Sequence, residues 1–193
     1  LADYPAANDF GGTVRNFYTE DIYVGYRYFE TFCPEKVMYE FGFGLSYSKF
    51  DIEILKAETV TEESKVGGAW GSHGVSIDNG TCAGKEVQIT ICVKNTGDCR
   101  GKEVVQVYVQ APQGKLGKPA RELKAFAKTK ELAPGEKQEM TLHIPVKNLA
   151  SYDDSGVTGH KSCYVSEAGA YVFHVGNSVR NTKIADVDGK GAY

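Results

Sequence analysis

The chain of 193 residues has no long apolar run and no strong excess of charge of either sign. A helix that crosses a bilayer needs about 20 consecutive apolar residues, and no stretch approaches that length. The 22 basic and 25 acidic residues give a net charge of -3, which excludes the basic footprint of a nucleic-acid-binding protein and a block of charge suited to a membrane surface. The first five residues (LADYP) lack the basic start and apolar core of a signal peptide, and the absence of an initiating methionine suggests a fragment or a processed chain.

Cysteine is scarce and forms no metal-binding pattern. Its number is odd and no C-x-x-C pair occurs, so a zinc knuckle is not expected. We expect reduced thiols, which favours a cytoplasmic, bacterial location and leaves a secreted or periplasmic one open. Two cysteines that flank a turn could form a bridge, although spacing alone cannot decide it; the five are Cys33, Cys82, Cys92, Cys99 and Cys163, with Cys92 and Cys99 at the turn.

Arrangements that hold a metal or a cofactor are also lacking. The four histidines lie far apart, although His143 and His174 fall on outward strand positions and could meet in space. A zinc site needs further ligands in a defined geometry. The Gly42-x-Gly44 motif lacks the strand-to-helix context of a phosphate-binding loop. We therefore expect no metal site and no cofactor.

What the sequence does contain is a series of short segments in which apolar and polar residues alternate. Such alternation is typical of half-buried strands. Seven short strands separated by turn signals predict an all-β, immunoglobulin-like β-sandwich. The inward positions predict a core built from Ile52, Ile89, Ile91, Val105, Val107, Leu142, Phe173 and Val175.

Two stretches interrupt this pattern. Residues 58–74 are polar and glycine-rich, and they predict a long loop that contains the single tryptophan, Trp70. Residues 121–132 fit either a helix or a strand with an irregularity. Near the end of the chain, a strand at 162–166 should join the next one through a hairpin-like connection at 167–169.

The segment 39–50 (YEFGFGLSYSKF) alternates glycines with aromatic residues. Gly42 and Gly44 allow the chain to turn or to approach another backbone closely. The aromatic rings supply apolar area in a segment too short to form its own core. This combination favours a clasp between two packed bodies, with an aromatic edge strand as the alternative.

Several phrases resemble glycoside hydrolase family 3. Residues 39–50 resemble the F-G-x-G-L-S-Y-x-x-F phrase that joins the α/β sandwich domain of that family to its fibronectin type III-like domain. Residues 18–29 (YTEDIYVGYRYF) resemble the E-G-I-x-V-G-Y-R-Y-Y phrase upstream, with Asp21 where the family usually has glycine. Further similar phrases lie at 95–97, 101–109, 119–126 and 132–136.

The resemblance implies a division of the chain into two parts. Residues 1–48 would be the C-terminal segment of the α/β sandwich domain and a linker, with a strand at 22–29. Residues 49–193 would form a fibronectin type III-like β-sandwich, preceded by the first part as an extended arm. The arm should pack on the sandwich or on a second copy, with Gly42 and Gly44 at the bend.

The function that the resemblance implies is non-catalytic. The chain would be a C-terminal accessory region that braces the catalytic barrel and the α/β sandwich domain of a β-glucosidase or β-xylosidase. Glycoside cleavage needs two positioned carboxyl groups, and neither of the family's catalytic motifs occurs here, so no catalytic residue is assigned. We expect the run Asp153-Asp154 to be solvated and Arg27 to form a structural ion pair under the domain junction.

An independent carbohydrate-binding or adhesive fibronectin-like module is the alternative. The candidate substrate-binding residues are Trp70 and Tyr108, as stacking platforms for a sugar, although we expect oligosaccharide binding to be weak or absent. The family phrase at 18–29 favours the accessory region, because an independent module has no need of it. Partners other than the parent domains are limited to a homodimer, which the sequence leaves open.

Overall fold

Two antiparallel sheets packed face to face form the body of the protein. They are seen in a computed structural model that describes residues 4–5, 11, 13–61 and 84–189. One sheet has three strands in the order β1-β2-β5, and the other has four in the order β4-β3-β8-β9. A separate ribbon pairs β6 with β7. The strands are β1 (Phe50–Thr61), β2 (Lys85–Asn95), β3 (Val104–Gln110), β4 (Glu122–Lys128), β5 (Lys137–Pro145), β6 (Ser151–Asp153), β7 (Cys163–Val165), β8 (Val172–Gly176) and β9 (Thr182–Ala185).

The core lies between the two sheets and confirms the predicted β-sandwich. Alternate residues of the central strands β2 and β3 point inward and are almost fully buried, as the period-2 pattern requires. Every predicted core residue belongs to this cluster, with Ile52 packed at its edge. The buried members from these strands and from β5 and β8 are Val87, Ile89, Ile91, Val93, Val105, Val107, Val109, Leu142, Ile144, Phe173 and Val175.

The ambiguous stretch after residue 120 is a strand with an irregularity. β4 pairs with β3, and the register shifts where Val107 faces Ala125 while Tyr108 faces Leu123. Lys124 is therefore the extra residue of a bulge. The following turn has Pro134 and Gly135 at its centre, and Gly135 has a φ of 78°, which is the position at which a type II turn needs glycine.

Two predictions about the sandwich need correction. The loop expected from residue 58 begins later, because β1 continues to Thr61; residues 62–83 lie outside the described part of the chain. The hairpin expected across 167–169 is absent from the described residues, since β7 pairs with β6 while β8 pairs with β3 and β9. The connection at 167–169 therefore passes between two different sheets.

The strand predicted at 22–29 is wrong, because this part of the arm is helical. Helix α1 spans Tyr26–Phe32 and is followed by a short 3₁₀ turn over Pro34–Lys36. Gly25 has a φ of 59°, which interrupts an extended chain, and its carbonyl accepts from the amide of Tyr28. The aromatic side chains of the helix then pack on one another and on Tyr4 and Tyr23. The arm is therefore folded into turns and one helical segment rather than extended.

Candidate domain interface

The outer face of the four-stranded sheet carries polar side chains that are nevertheless buried. Gln106 and Tyr108 of β3 point to this face, and His174 of β8 lies directly opposite Tyr108. Their exposed fractions are 8%, 0% and 5%. The prediction that Tyr108 points away from the core is confirmed, but its expected exposure is wrong. The layer that covers this face is the arm, of which residues 13–48 are described without a gap.

Tyr26 of helix α1 holds the arm against this face. Its ring stacks on Phe41 at a centroid distance of 4.5 Å and meets Tyr108 edge-on at 6.1 Å. Its hydroxyl accepts a hydrogen bond of 2.8 Å from the backbone amide of Leu123. Aromatic contacts of this kind combine apolar burial with a polar end that needs a partner. Tyr26 therefore connects helix α1 and the segment around Phe41 to strands β3 and β4.

Ion pairs fasten both sides of the helix. Arg27 contacts Glu122 at 3.0 Å, which confirms the structural ion pair predicted for this arginine. Glu30 accepts from Arg180, in the connection between β8 and β9, at 3.0 and 3.1 Å. The same guanidinium donates to the carbonyl of Pro34 at 2.7 Å. The helix is thus tied to β4 on one side and to the β8–β9 connection on the other.

The glycine-aromatic segment forms the second contact. The carbonyl of Phe41 accepts from the amide of Val179 at 2.9 Å, and Glu40 accepts from the hydroxyl of Ser178 at 3.0 Å. Gly42 has a φ of 88°, and a Cβ there would lie 2.9 Å from the Cα of Ser178. Only glycine tolerates both conditions. Gly44 has a φ outside the left-handed region and open space around it, so Gly42 alone fulfils the steric role predicted for both glycines.

The arm joins the sandwich through a buried polar contact at Asn95. Its side chain accepts from the hydroxyl of Ser48 at 2.6 Å and donates to the carbonyls of Cys99 and Leu132 at 2.8 and 2.9 Å. The Lys49 carbonyl accepts from the amide of Thr96 at 2.8 Å. The turn at Asn95-Thr96-Gly97 therefore fixes the position at which the arm ends and β1 begins.

The outward side of the arm is apolar and exposed. Between residues 38 and 47 the exposed fractions reach 95% for Leu45 and 98% for Tyr47. Scattered apolar residues are common on protein surfaces, but several large apolar side chains exposed within one ten-residue segment favour a contact site. The group, which we call the outward face, comprises Met38, Tyr39, Phe43, Leu45 and Tyr47.

A cleft of about 710 Å³ lies along the seam between arm and sandwich. Tyr23, Glu30 and Phe32 line it from the arm, and Gln113 and Arg121 line it from the sandwich. Its charged groups are already engaged: Glu30 binds Arg180, and Arg121 donates to the carbonyl of Val179. We therefore regard the cleft as part of the packing between the two layers.

Asp153 and the ion pair of Lys118 with Glu167 are buried or largely buried charged groups that sequence reasoning missed. Asp153 is fully buried and was wrongly expected to be solvated; hydrogen bonds from Thr158 and from the amide of Gly156 lower the pKa of its carboxyl. Glu167 forms an ion pair with Lys118, which lowers the pKa of Glu167. The local signal for Asp153 is its D-x-S-G-x-T spacing, since such side chains cap their own turns.

The other candidate residues do not assemble into a site. Trp70 lies outside the described residues, so its stacking role stays a prediction, whereas Tyr108 is buried and has no face open to a sugar. His143 and His174 project from opposite sheets, because their strands β5 and β8 lie in different layers; they do not meet. Within the described part of the chain, no group of three metal-ligating side chains occurs. Cys33, Cys92, Cys99 and Cys163 are free thiols.

Comparison with known proteins agrees with this architecture. The fold is an immunoglobulin-like β-sandwich, and residues 103–179 match the fibronectin type III-like domain family. The chain is 44% identical over 183 residues to a β-glucosidase of Ruminococcus albus, covering 95% of this chain and 17% of the relative. It superposes on the crystal structure of a β-glucosidase from Paenibacillus barengoltzii with a TM-score of 0.83 and 53% identity, covering all of this chain and 19% of the other.

A third relative, also a solved structure, carries the family name. The GH3 β-glucosidase of Bifidobacterium adolescentis is 29% identical, with a TM-score of 0.71, over 95% of this chain and 23% of that one. The chain therefore corresponds to the fibronectin type III-like region of glycoside hydrolase family 3. It spans about a fifth of the length of the relatives that it matches. No helix in the described part of the chain has the length and hydropathy to span a membrane.

Proposed function

We propose that the chain is a non-catalytic accessory region that braces the other domains of a family 3 β-glucosidase. The observation that carries this proposal is the two-sided arm. One side is fixed to the sandwich through Tyr26, Arg27 and Phe41, while the outward face exposes Leu45 and Tyr47. Burial of each such side chain stabilises a complex by about 1.5–3 kcal/mol.

The other domains of the parent enzyme are the partner that best fits the outward face. The relatives are β-glucosidases about five times as long as this chain, so most of their length is available to cover this surface. We propose that residues 1–48 belong to the α/β sandwich domain of the parent, which would lie against the outward face. The parent would hydrolyse β-glucosides or β-xylosides, and the chain itself would contribute no reacting group.

The proposal is tested in the full-length enzyme that carries this chain. Leu45→Ser combined with Tyr47→Ser should lower the melting temperature by several degrees without changing KM for an aryl β-glucoside, because these side chains hold domains together and do not touch substrate. The matched control is Tyr164→Ser, since Tyr164 is 57% exposed on the β6–β7 ribbon. An unchanged melting temperature in the double variant would show that no domain covers the outward face.

Activity of the separate chain provides a second test. Contaminant-free protein should hydrolyse neither aryl β-glucosides nor aryl β-xylosides. Hydrolysis that disappears after a single carboxylate substitution within the 193 residues would contradict a purely accessory role.

A further inference from the structure

His174 is a buried titratable group that the proposed bracing function does not require. It is 5% exposed, and its Nε2 has no hydrogen-bond partner within the described residues. A buried polar atom without a partner costs free energy, so its presence calls for an explanation. On the sheet, His174 lies between Tyr108 of β3 and Ile184 of β9, on the face toward the arm.

The charge around His174 is positive. Arg121 reaches over this face, where its guanidinium donates to the carbonyl of Val179 and to the hydroxyl of Thr182. Burial first, and then the field of Arg121, lower the pKa of His174 to about 4. The imidazole is thus neutral near pH 7, and a proton on it would place a second cation beside the guanidinium in a buried layer.

Three carboxylates of the interface are already engaged elsewhere: Glu30 binds Arg180, Glu122 binds Arg27 and Lys124, and Glu40 accepts from the hydroxyl of Ser178. Besides Arg121, the titratable side chains on this face next to His174 are phenols, namely Tyr108 on β3 and, in contact with it, Tyr26 on α1. Lys183 of β9 pairs with Val175 and contacts Asp51 of the other sheet.

Arg121, whose charge acts on His174, is bound to the connection that holds the arm. The β8–β9 connection contains Val179, which donates to Phe41, and Arg180, which binds Glu30. Arg121 is tied to the same connection through Val179. A positive charge on His174 therefore repels Arg121, which anchors this connection. The contacts between the connection and the arm weaken as a result.

We propose that His174 makes docking of the arm on the sandwich sensitive to pH, holding the arm closed at neutral pH and releasing it under acid conditions. An undocked arm exposes His174 to water, where its pKa returns to the ordinary value near 6.5. The undocked state then binds more protons than the docked state between pH 6.5 and 4. By linkage, the undocked fraction should rise roughly 20-fold between pH 7 and pH 5.

Amide hydrogen exchange measured by NMR on the 193-residue chain tests this directly. Three amides report docking because they donate to the arm: Ala120 to Thr31, Leu123 to Tyr26, and Val179 to Phe41. After correction for the intrinsic exchange rate, their opening constants should increase about 20-fold from pH 7 to pH 5. The Leu132 amide, which donates to Gly101 within the sandwich, should not follow them.

The variants separate this histidine from general acid effects. His174→Gln should abolish the pH dependence of the three amides, whereas His143→Gln should keep it, because His143 is exposed on the other sheet beside Glu86. An equal acid response in His174→Gln, or no response in the unaltered chain, overturns the proposal. If His174→Gln does not fold, the ring titration of His174 in the unaltered chain decides: a midpoint below pH 5 supports the proposal, and one near 6.5 with the arm docked overturns it.

Discussion

At the scale of single residues, Asn95 is the clearest case in which one polar side chain organises the fold. It is fully buried, and its amide group uses both donors and its oxygen. The two donors bind the carbonyls of Cys99 and Leu132, while the oxygen accepts from Ser48 and Gly97. The side chain thus connects the arm, the turn after β2 and the segment before β5.

Replacing Asn95 with alanine should cost about 2–4 kcal/mol of unfolding free energy, because two carbonyls lose a donor inside the protein. Urea unfolding at pH 7 measures this cost. Asn148→Ala is the matched control, since Asn148 is exposed, and it should change the free energy by less than about 0.5 kcal/mol. A small cost at Asn95 would mean that water replaces its hydrogen bonds.

Asp153 should make stability depend on pH in the acid range. Its carboxylate accepts from the Thr158 side chain and from the amides of Gly156, Val157 and Thr158, which lowers its pKa. A carboxylate with a depressed pKa in the folded state stabilises the fold above its unfolded pKa, and that stabilisation is lost as pH falls. Asp153→Asn should therefore be less stable than the unaltered chain at pH 6, and the difference should shrink steadily toward pH 2.

The neighbouring residue provides the control for Asp153. Asp154 is exposed, so Asp154→Asn should follow the pH profile of the unaltered chain in thermal melts. A constant difference between Asp153→Asn and the unaltered chain across the acid range would assign the effect to geometry rather than to charge.

Asp21 shows how a departure from the family phrase can be accommodated. Its φ is 49°, in the left-handed region that favours glycine. Aspartate tolerates this region better than most residues with a Cβ. The turn is kept, since the amide of Asp21 donates to the carbonyl of Tyr18 at 3.1 Å and that of Tyr23 to Glu20 at 2.8 Å. Glycine in the family phrase therefore reflects the backbone at this position.

At the scale of elements, the connection between β3 and β4 is organised by a buried ion pair. Lys118 is 4% exposed, and its ammonium binds Glu167 and the carbonyl of Pro112. Glu167 also accepts from the amide of Lys115 at 2.6 Å. Gly114 leaves the room that the carboxylate occupies, because a Cβ there would overlap it. The ion pair of Lys118 with Glu167 thus fixes the conformation of the polar β3–β4 connection.

Breaking this pair by Lys118→Met should cost about 3 kcal/mol, because it leaves the Glu167 carboxylate buried without its cation. Adding Glu167→Gln should recover part of the loss, since the double variant buries no unpaired charge. Chemical denaturation of the four forms in a double-mutant cycle measures the coupling. Lys130→Met, which removes an exposed pair with Glu136, should cost less than about 1 kcal/mol. Equal losses for the two lysines would show that water reaches Glu167.

At the scale of the whole molecule, the arm acts as a third layer on one side of a two-sheet sandwich. It packs on Tyr108 through Tyr26 and leaves several apolar groups of its own exposed. Removing it would expose a sheet face that contains a buried tyrosine and would also cancel the Arg27–Glu122 and Glu30–Arg180 pairs. Stability and association should therefore both depend on the arm.

A chain that begins at Ser46 tests this dependence while keeping the contact of Ser48 with Asn95. It should unfold with a free energy lower by roughly 2–3 kcal/mol, the amount expected for uncovering one large aromatic residue. The 193-residue chain should associate as its concentration rises, because its outward face is uncovered, whereas the shortened chain should not. Light scattering and urea unfolding measure the two effects. Two strictly monomeric and equally stable forms would show that the arm neither braces the sandwich nor self-associates.

The sequence by itself determined the sandwich. The alternation of apolar and polar residues in β2, β3 and β5 has a period of two, and only one set of alternate positions can face the core, so strands and inward faces could both be predicted. The Gly42 bend and the Arg27 ion pair also followed, because the family phrases fix the residues at those positions. Such local features can be predicted from the sequence because each residue's neighbours in the strand or phrase already determine its environment.

Only the tertiary structure decided which outward faces are covered. The segment Tyr26–Phe32 has aromatic spacing that fits a strand or a helix, and its contacts with Phe41 and Tyr108, far along the chain, favour the helix. Tyr108 and His174 occupy outward positions of strands, where the pattern predicts exposure, yet the arm and the β8–β9 connection bury that face. Residue spacing along a strand sets the side on which a group lies, whereas the free energy of a third layer depends on residues that meet only after the chain has folded.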